Sequence, residues 1–448
     1  MKLSVGVLLN GAFWTLVTFG IGQTLRFITN VILTHIIAPE LFGLMLIVNT
    51  LRIGLELTSD LGIGQAMIYS NNAEKPDFYN TAWSLQVIRG LVLWLVFILA
   101  AEPVAYFYNS PVLAYLLVIT ALITVFGGLA SVAPTILQKQ LKFAKLGIYT
   151  LIIAFISSVS LIALVVASPT VWSLAFAGVV GSIVSTVGSY FLLPQLKQKF
   201  FISKIYLGEI VNFGKWMFMS SFVFFLSSNF DRLYFAKVIP LELLGIYGIA
   251  RTISEILSTM TARLGTNVVF PFITSHLDSP RAELRKQIAV TRARFLLLVG
   301  VGCSLFIATA DLAIKLLFDH RYQAAGWMVP ILIVGSWFST LTSINECTLL
   351  GLGKPSYMAL SNSLKFVLLI ICLPISLQVY GLVGAIVAVT LIELCRYFPL
   401  FVGQRRENFS FGRQDLAATV AMLLLVGFWE WLRWMLGFGT SFDSFPVG

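Results

Sequence analysis

The chain has 448 residues, 58% of them hydrophobic and 11% charged, with a mean hydropathy of +0.91. That composition lies outside the soluble domains to which length-based domain counts apply, and unbroken apolar runs such as Leu91–Ala101 and Met422–Phe428 lack the alternation of a β-barrel. The formal charge of +10 sits in short clusters between apolar runs rather than along one face, which points to membrane topology and to no nucleic-acid partner.

In chain order, the first apolar stretch follows only Lys2, is interrupted by Asn10 and continues past Trp14 without a small-residue cleavage site, so it reads as a span and not a signal peptide. Spans are predicted at 9–36, 41–69, 81–106, 111–137, 146–168 and 171–194, then at 213–238, 242–272, 294–318, 326–350, 355–378 and 381–403, with a thirteenth at 416–437. Pro39, Pro111, Pro169, Pro240 and Pro355 punctuate the connections, because proline cannot continue a helix ladder.

Placing the N-terminus inside puts Lys139, Lys142, Lys145, Lys197, Lys199, Lys204, Arg281, Arg285, Lys286, Arg292, Arg294, Lys354, Arg405, Arg406 and Arg413 on the cytoplasmic side. The outside loops then hold almost no cation except Arg321, and this asymmetry sets the expected orientation. Residues 195–212, QLKQKFFISKIYLGEIVN, mix lysines with aromatic and aliphatic side chains, as expected of an amphipathic helix in the cytoplasmic interface. The expected organisation is therefore an N-terminal six-helix lobe at 1–194, this linker, a C-terminal six-helix lobe at 213–403, and a basic loop with one extra hydrophobic helix at 404–448. Pro39-Glu40-Leu41-Phe42-Gly43 before span 2 echoes Pro240-Leu241-Glu242-Leu243-Leu244-Gly245 before span 8. Parallel repeats of this kind are related by an axis along the membrane normal, with the substrate site at their interface. The fold class predicted is all-α: a polytopic membrane protein with two lobes as a pseudo-two-fold repeat. The stretch after Ser279-Pro280, RAELRKQIAVTRAR, reads as a cytosolic helix, most simply a solvated extension of span 9.

Charges inside spans are expensive and usually face a cavity or a partner. Span 1 presents Gln23, Arg26 and Asn30 on one helix face, with no acid within a turn of Arg26. Span 2 stacks Arg52, Glu56 and Asp60, and span 8 stacks Arg251, Glu255, Thr259 and Arg263, at steps of four. Each Arg-x3-Glu pair reads either as a stripe facing the space between the halves or as a self-neutralising intrahelical salt bridge. Arg89 in span 3, with Gln86 before it, awaits a ligand or the acids and carbonyls of another span. Asn229, Asp231 and Arg232, Asn345 and Glu346, Asn362 and Lys365, and Glu393 with Arg396 complete the intramembrane set, where local pairing is a stronger alternative. Lys237, Asp311 and Lys315 lie near span ends and are expected to snorkel. Gly178, Gly181 and Ser185 suit close helix approach.

No cofactor or metal is expected. Cys303, Cys347, Cys372 and Cys395 show no CxxC spacing, His35, His276 and His320 sit at separate span boundaries, and GLGKPS at 351–356 lacks Walker spacing and strand context. Several mid-depth arginines would attract an anion, and guanidinium matches phosphate through paired hydrogen bonds, so a phosphate-bearing ligand is expected. Glu56, Asp60, Glu255 and Glu346 are candidates to bind a proton or sodium ion and couple transport to a gradient.

The opening span followed by THIIAPELFGLM, TSDLGIGQAMIY closing span 2, LQKQLKFAKLG after span 4, SSNFDRLYFAKVIPLELLGIYGIA across spans 7 and 8, and the later VVFPFIT carry a resemblance along nearly the whole chain. In order and spacing it resembles the polysaccharide or O-antigen lipid-carrier flippases of the multidrug/oligosaccharidyl-lipid/polysaccharide exporter superfamily. The resemblance implies two six-helix lobes around a basic central cavity, with lipid portals where span 1 meets span 8 and span 2 meets span 7. It implies alternating access that moves an undecaprenyl-diphosphate-linked oligosaccharide between leaflets of a bacterial inner membrane, with membrane lipids and polysaccharide assembly proteins as partners. Roles carried over are cavity cations for Arg26, Arg52, Arg89, Arg232 and Arg251, with Gln23, Asn30, Asn229, Asn345 and Lys365 in support. The extra span departs from a simple twelve-span pattern, leaving a full crossing or a partly interfacial placement of 416–437, with Glu430 and Arg433, both open.

A membrane glycan polymerase or ligase would need carboxylates or histidines on a sizeable external loop. The longest, near 319–326, offers only Asp319, His320 and Arg321, so no enzyme is expected. A drug/cation exporter of the same superfamily would prefer an acidic lumen, whereas arginines outnumber acids among the central candidates. A lipid II flippase is the nearest functional alternative, against which only the shorter span count argues.

Overall fold

The structure, a computed structural model, describes residues 5–60, 62–70, 72–274, 276 and 280–445, so Lys2 and Ser279 lie outside it. The helices are α1 (Val5–Ile36), α2 (Pro39–Thr58), α3 (Ile63–Tyr69), α4 (Pro76–Phe107), α5 (Val112–Leu129), α6 (Ala133–Lys139), α7 (Phe143–Ala167), α8 (Val171–Leu192), α9 (Lys204–Val238), α10 (Leu241–Leu264), α11 (Phe270–Thr274), α12 (Arg281–Leu317), α13 (Ala325–Gly351), α14 (Ser356–Arg406) and α15 (Gly412–Met435). No strand occurs among the described residues. Ten of these helices are long and apolar enough to cross a membrane. In that set α14 counts once, although Gly381, at φ 63°, splits it into two legs that correspond to predicted spans 11 and 12. The chain divides into two compact units, Met1–Gly245 and Ile246–Gly448.

In the first unit α4 packs on α5, α7 on α1 and α8, α5 on α8, and α2 on α9. Gly181 and Ser185 serve the expected close approach of α8 to α7: a Cβ on Gly181 would lie 2.9 Å from Ser157 Oγ, and the Tyr149 hydroxyl donates to the Ser185 carbonyl at 2.7 Å. The predicted span 41–69 is not continuous. After α2 ends, Asp60 Oδ1 accepts the Gly62 amide at 3.0 Å and Gly62 takes φ 61°, turning the chain before α3 begins. An aspartate that binds the amide two residues on, followed by a glycine in the left-handed region, is a stop signal that the apolar length masked. Span 4 divides in the same way into α5 and α6, where Ser131 Oγ accepts the Ala133 amide at 3.1 Å.

Residues 195–203, expected within an interfacial helix, instead run irregularly beside the start of α4. Asn80 Oδ1, Ser84 Oγ and Thr81 Oγ1 accept the amides of Lys199, Phe201 and Ser203 at 2.8, 2.9 and 3.0 Å. Amides served by another helix's side chains need no ladder of their own. Helix begins only at Lys204 and continues through predicted span 7 as α9.

In the second unit the basic stretch after Pro280 is the first part of α12. It is not solvated all round, because Leu284 and Ile288 enter a small apolar core with Ile273, Leu352, Phe409 and Phe411. α15 lies along α12 and runs in the same direction, since Arg292 pairs with Asp415 near one end and Asp311 with Arg433 near the other. At 1.5 Å per residue these pairs stand about 28 Å apart, close to the thickness of a hydrocarbon core. One expectation is corrected, since Asp311 is buried rather than snorkelling; of the two readings left open for 416–437, the segment has the length and anchorage of a full crossing.

Candidate functional site

On α1, Arg26 is exposed and Gln23 and Asn30 are half-buried. Arg26 shares its helix face with Thr29 and Leu33, three and seven residues on, both of them buried. The stripe of Phe13, Ile21, Ile28 and Ile32, the kind of surface lipid covers, points the other way. The guanidinium therefore reaches open space on the packed side of its helix. Among the described residues it has no hydrogen-bond or ion-pair partner.

The end of α2 gathers the next candidates. Arg52 Nη1 pairs with Glu56 Oε1 at 2.7 Å along the helix. Arg89, from α4, donates to Ser59 Oγ at 3.1 Å and to the Glu56 carbonyl at 2.5 Å, with Asp60 Oδ1 at 3.8 Å. The last carbonyls of a helix lack intrahelical donors and carry the negative end of its dipole, so a guanidinium is well placed there. Two arginines and two carboxylates thus compensate one another at the break between α2 and α3, and Arg89 caps that break. Farther along, Arg232 Nη1 donates to Asn229 Oδ1 at 3.0 Å.

The second unit holds two buried clusters. In one, Lys365 pairs with Glu393, and Arg396 bridges Glu346 at 2.7 Å and Glu393 at 3.5 Å, joining α13 to both legs of α14. In the other, Arg292 binds Asp415 at 2.5 Å, Gln414 at 2.9 Å and Asn345 at 3.0 Å. Asn345 and Tyr397 donate to the same Asp415 carboxylate at 3.2 and 2.6 Å. Arg251 and Glu255 pair along α10 at 3.0 Å. The predicted candidates Asn345, Glu346 and Lys365 are therefore members of compensated networks. The partners of Asn345, Arg292 and Asp415, were not read as such because they come from span ends far apart in sequence. The signal that was available is an acid opening an apolar helix.

The loop candidate Asp319 is held by Arg321, whose side chain and amide donate to Oδ1 at 2.8 and 3.0 Å. These bonds keep its carboxyl below the usual carboxylate range, so it does not suit proton transfer near neutrality.

A family profile described as polysaccharide biosynthesis protein matches residues 32–326. The succinoglycan biosynthesis transport protein ExoT of Rhizobium meliloti (strain 1021) is 23% identical over 75% of this chain and 67% of its own. The lipopolysaccharide biosynthesis protein WzxC of Escherichia coli (strain K12) is 21% identical over 86% of this chain and 78% of its own. In fold the chain is similar to the lipid II flippase MurJ in an inward closed conformation, with a TM-score of 0.72 and 13% identity, covering 93% of this chain and 91% of that one.

Proposed function

We infer the function from one premise: the chain belongs to the polysaccharide biosynthesis protein family. It is a multi-pass membrane transporter and not an enzyme. We propose that its cargo is an oligosaccharide carried on undecaprenyl diphosphate, moved from the cytoplasmic to the outer leaflet of a bacterial inner membrane. The N-terminus is cytoplasmic in this reading, and the lobes 1–194 and 213–403 alternate access to a common cavity.

The observation that carries the chemistry of the cargo is Arg26, a mid-helix guanidinium on the packed side of α1 with no partner among the described residues. Such a cation needs an anion, and a diphosphate supplies one with geometry suited to paired hydrogen bonds. Gln23 and Asn30 flank it as neutral donors. A cation exporter would require the opposite sign at this position.

Arg52 and Arg251 each hold a glutamate one turn on. A diphosphate competes with that carboxylate for the same guanidinium, so a proton on Glu56 releases Arg52 to the cargo. Proton uptake and cargo binding are thereby linked. Arg89 and Arg232 position their surroundings, and Glu346, Lys365 and Asn345 hold helices together.

The test is passage of a fluorescent undecaprenyl-diphosphate oligosaccharide across proteoliposomes containing the purified chain. Protein-dependent quenching of outer-leaflet label by a membrane-impermeant reductant is the expected result. Flipping of a cationic dye with no movement of the lipid would reject this cargo.

A further inference from the structure

Residues 197–203 lie against a face of α4 whose continuation is apolar and open, the kind of surface lipid covers. Asn80 and Ser84, which take the Lys199 and Phe201 amides, share that face with Ile88, Leu91, Leu95 and Ile98 at steps of three and four. Those four apolar residues are 37%, 48%, 54% and 36% exposed, whereas Asn80 and Ser84 are buried. The segment therefore covers the face where it turns polar, which in a helix that crosses a bilayer is the level of the headgroups.

The two sides of the segment differ. Inward, Leu196 joins the core around Phe78 and Leu137, Gln198 donates to Ser131 Oγ at 3.2 Å, and the Tyr206 ring meets Phe78 with centroids 5.1 Å apart. Outward, Lys197, Lys199 and Lys204 are exposed. So are Phe200, Phe201 and Ile202, and Ile205 is 80% exposed. No acid occurs between positions 195 and 205, and Asp77 in the first turn of α4 is offset by Lys75 at its cap. All of these residues belong to the first compact unit.

Phenyl rings held outward beside ammonium groups suit a boundary that is apolar below and negatively charged above. The rings enter the acyl margin while the lysine stems reach back to phosphate. Irregular backbone is tolerated at that depth because α4 has already taken its amides.

We propose that residues 197–205 form a docking surface for acidic phospholipid headgroups, read by Lys197, Lys199 and Lys204 and anchored by Phe200, Phe201 and Ile205. Only the leaflet, cytoplasmic in the orientation above, rests on the proposed function; the preference for acidic lipid does not. Each lysine held at a negatively charged membrane surface contributes about fivefold in affinity, so the preference depends on all three.

The experiment uses the full-length chain with its four cysteines replaced and a nitroxide attached at Ile205→Cys. It is placed in nanodiscs of phosphatidylcholine alone or mixed with phosphatidylglycerol. Collisions of the label with a water-soluble nickel chelate are expected to fall about fivefold in the acidic discs. Replacing Lys197, Lys199 and Lys204 together by glutamine should remove that difference at an unchanged unfolding midpoint, and replacing them by arginine should keep it. Equal accessibility in the two lipids, or a difference that survives the glutamine variant, would overturn the proposal. Protection by polyglutamate in phosphatidylcholine discs, with none from phosphatidylglycerol, would make the surface a protein dock and overturn it as well.

Discussion

Asp311 and Arg433 form a two-pronged ion pair, both nitrogen–oxygen distances 2.6 Å, that fastens the far end of α15 to α12. The Ala308 carbonyl accepts a further bond from the same guanidinium at 2.7 Å. Breaking one partner of a buried pair leaves the other charge uncompensated. Asp311→Ala or Arg433→Ala should each destabilise the protein by about 3–5 kcal/mol. Thermal unfolding in detergent reads this, and the double replacement by leucine should recover most of the loss. Additive losses in the double variant would mean that the two residues act separately.

Arg26 makes the opposite prediction, because no side chain or carbonyl among the described residues pairs with its charge. Arg26→Ala and Arg26→Glu should reduce flipping at least tenfold, the equivalent of about 1.4 kcal/mol or more of lost cargo interaction, with the unfolding midpoint unchanged. Loss of abundance in step with activity would show a packing role.

For Arg89 stability and activity should fall together. Arg89→Ala strips donors from the Glu56 carbonyl and Ser59, at a cost of about 1–3 kcal/mol. Hydrogen exchange should rise at the α2–α3 junction. Arg89→Lys keeps the charge without the fork and should rescue only part of the effect.

In the proposed competition between Glu56 and the diphosphate for Arg52, removing the carboxylate's charge strengthens cargo binding. Glu56→Gln should therefore bind labelled carrier more tightly than the parent, as read by equilibrium binding in detergent. Unchanged affinity in the variant would remove Glu56 from the competition.

Asp319 has a depressed carboxyl value because Arg321 donates to it twice. Its contribution to stability is present above the unfolded aspartate value of about 3.9 and is lost as pH falls through the lower folded value. Asp319→Asn should therefore lessen stability at neutral pH, converge with the parent in strong acid, and leave the pH profile of flipping between 5 and 8 unmoved.

Local spacing was fully legible in the sequence. Arg52–Glu56, Arg251–Glu255 and Glu393–Arg396 are paired as their helical steps require, because a helix fixes which neighbours share a face. The order of the long helices was legible too. What escaped were breaks carried by two or three polar residues, as at Asp60–Gly62, which averages over apolar length do not register.

By itself the sequence determined the class of the molecule, the order of its long apolar helices and the types of charge they bury, since crossing a bilayer demands long runs of helix with internally satisfied backbone. Tertiary structure alone decided which charges remain free. Arg396 finds Glu346 fifty residues away, Arg292 finds Asp415 and Asn345, Arg89 finds the end of α2, and Arg26 finds nothing among the described residues. The reason is that an intramembrane charge takes whatever partner packing brings within reach, and packing between helices distant in the chain is not written in the spacing of either one.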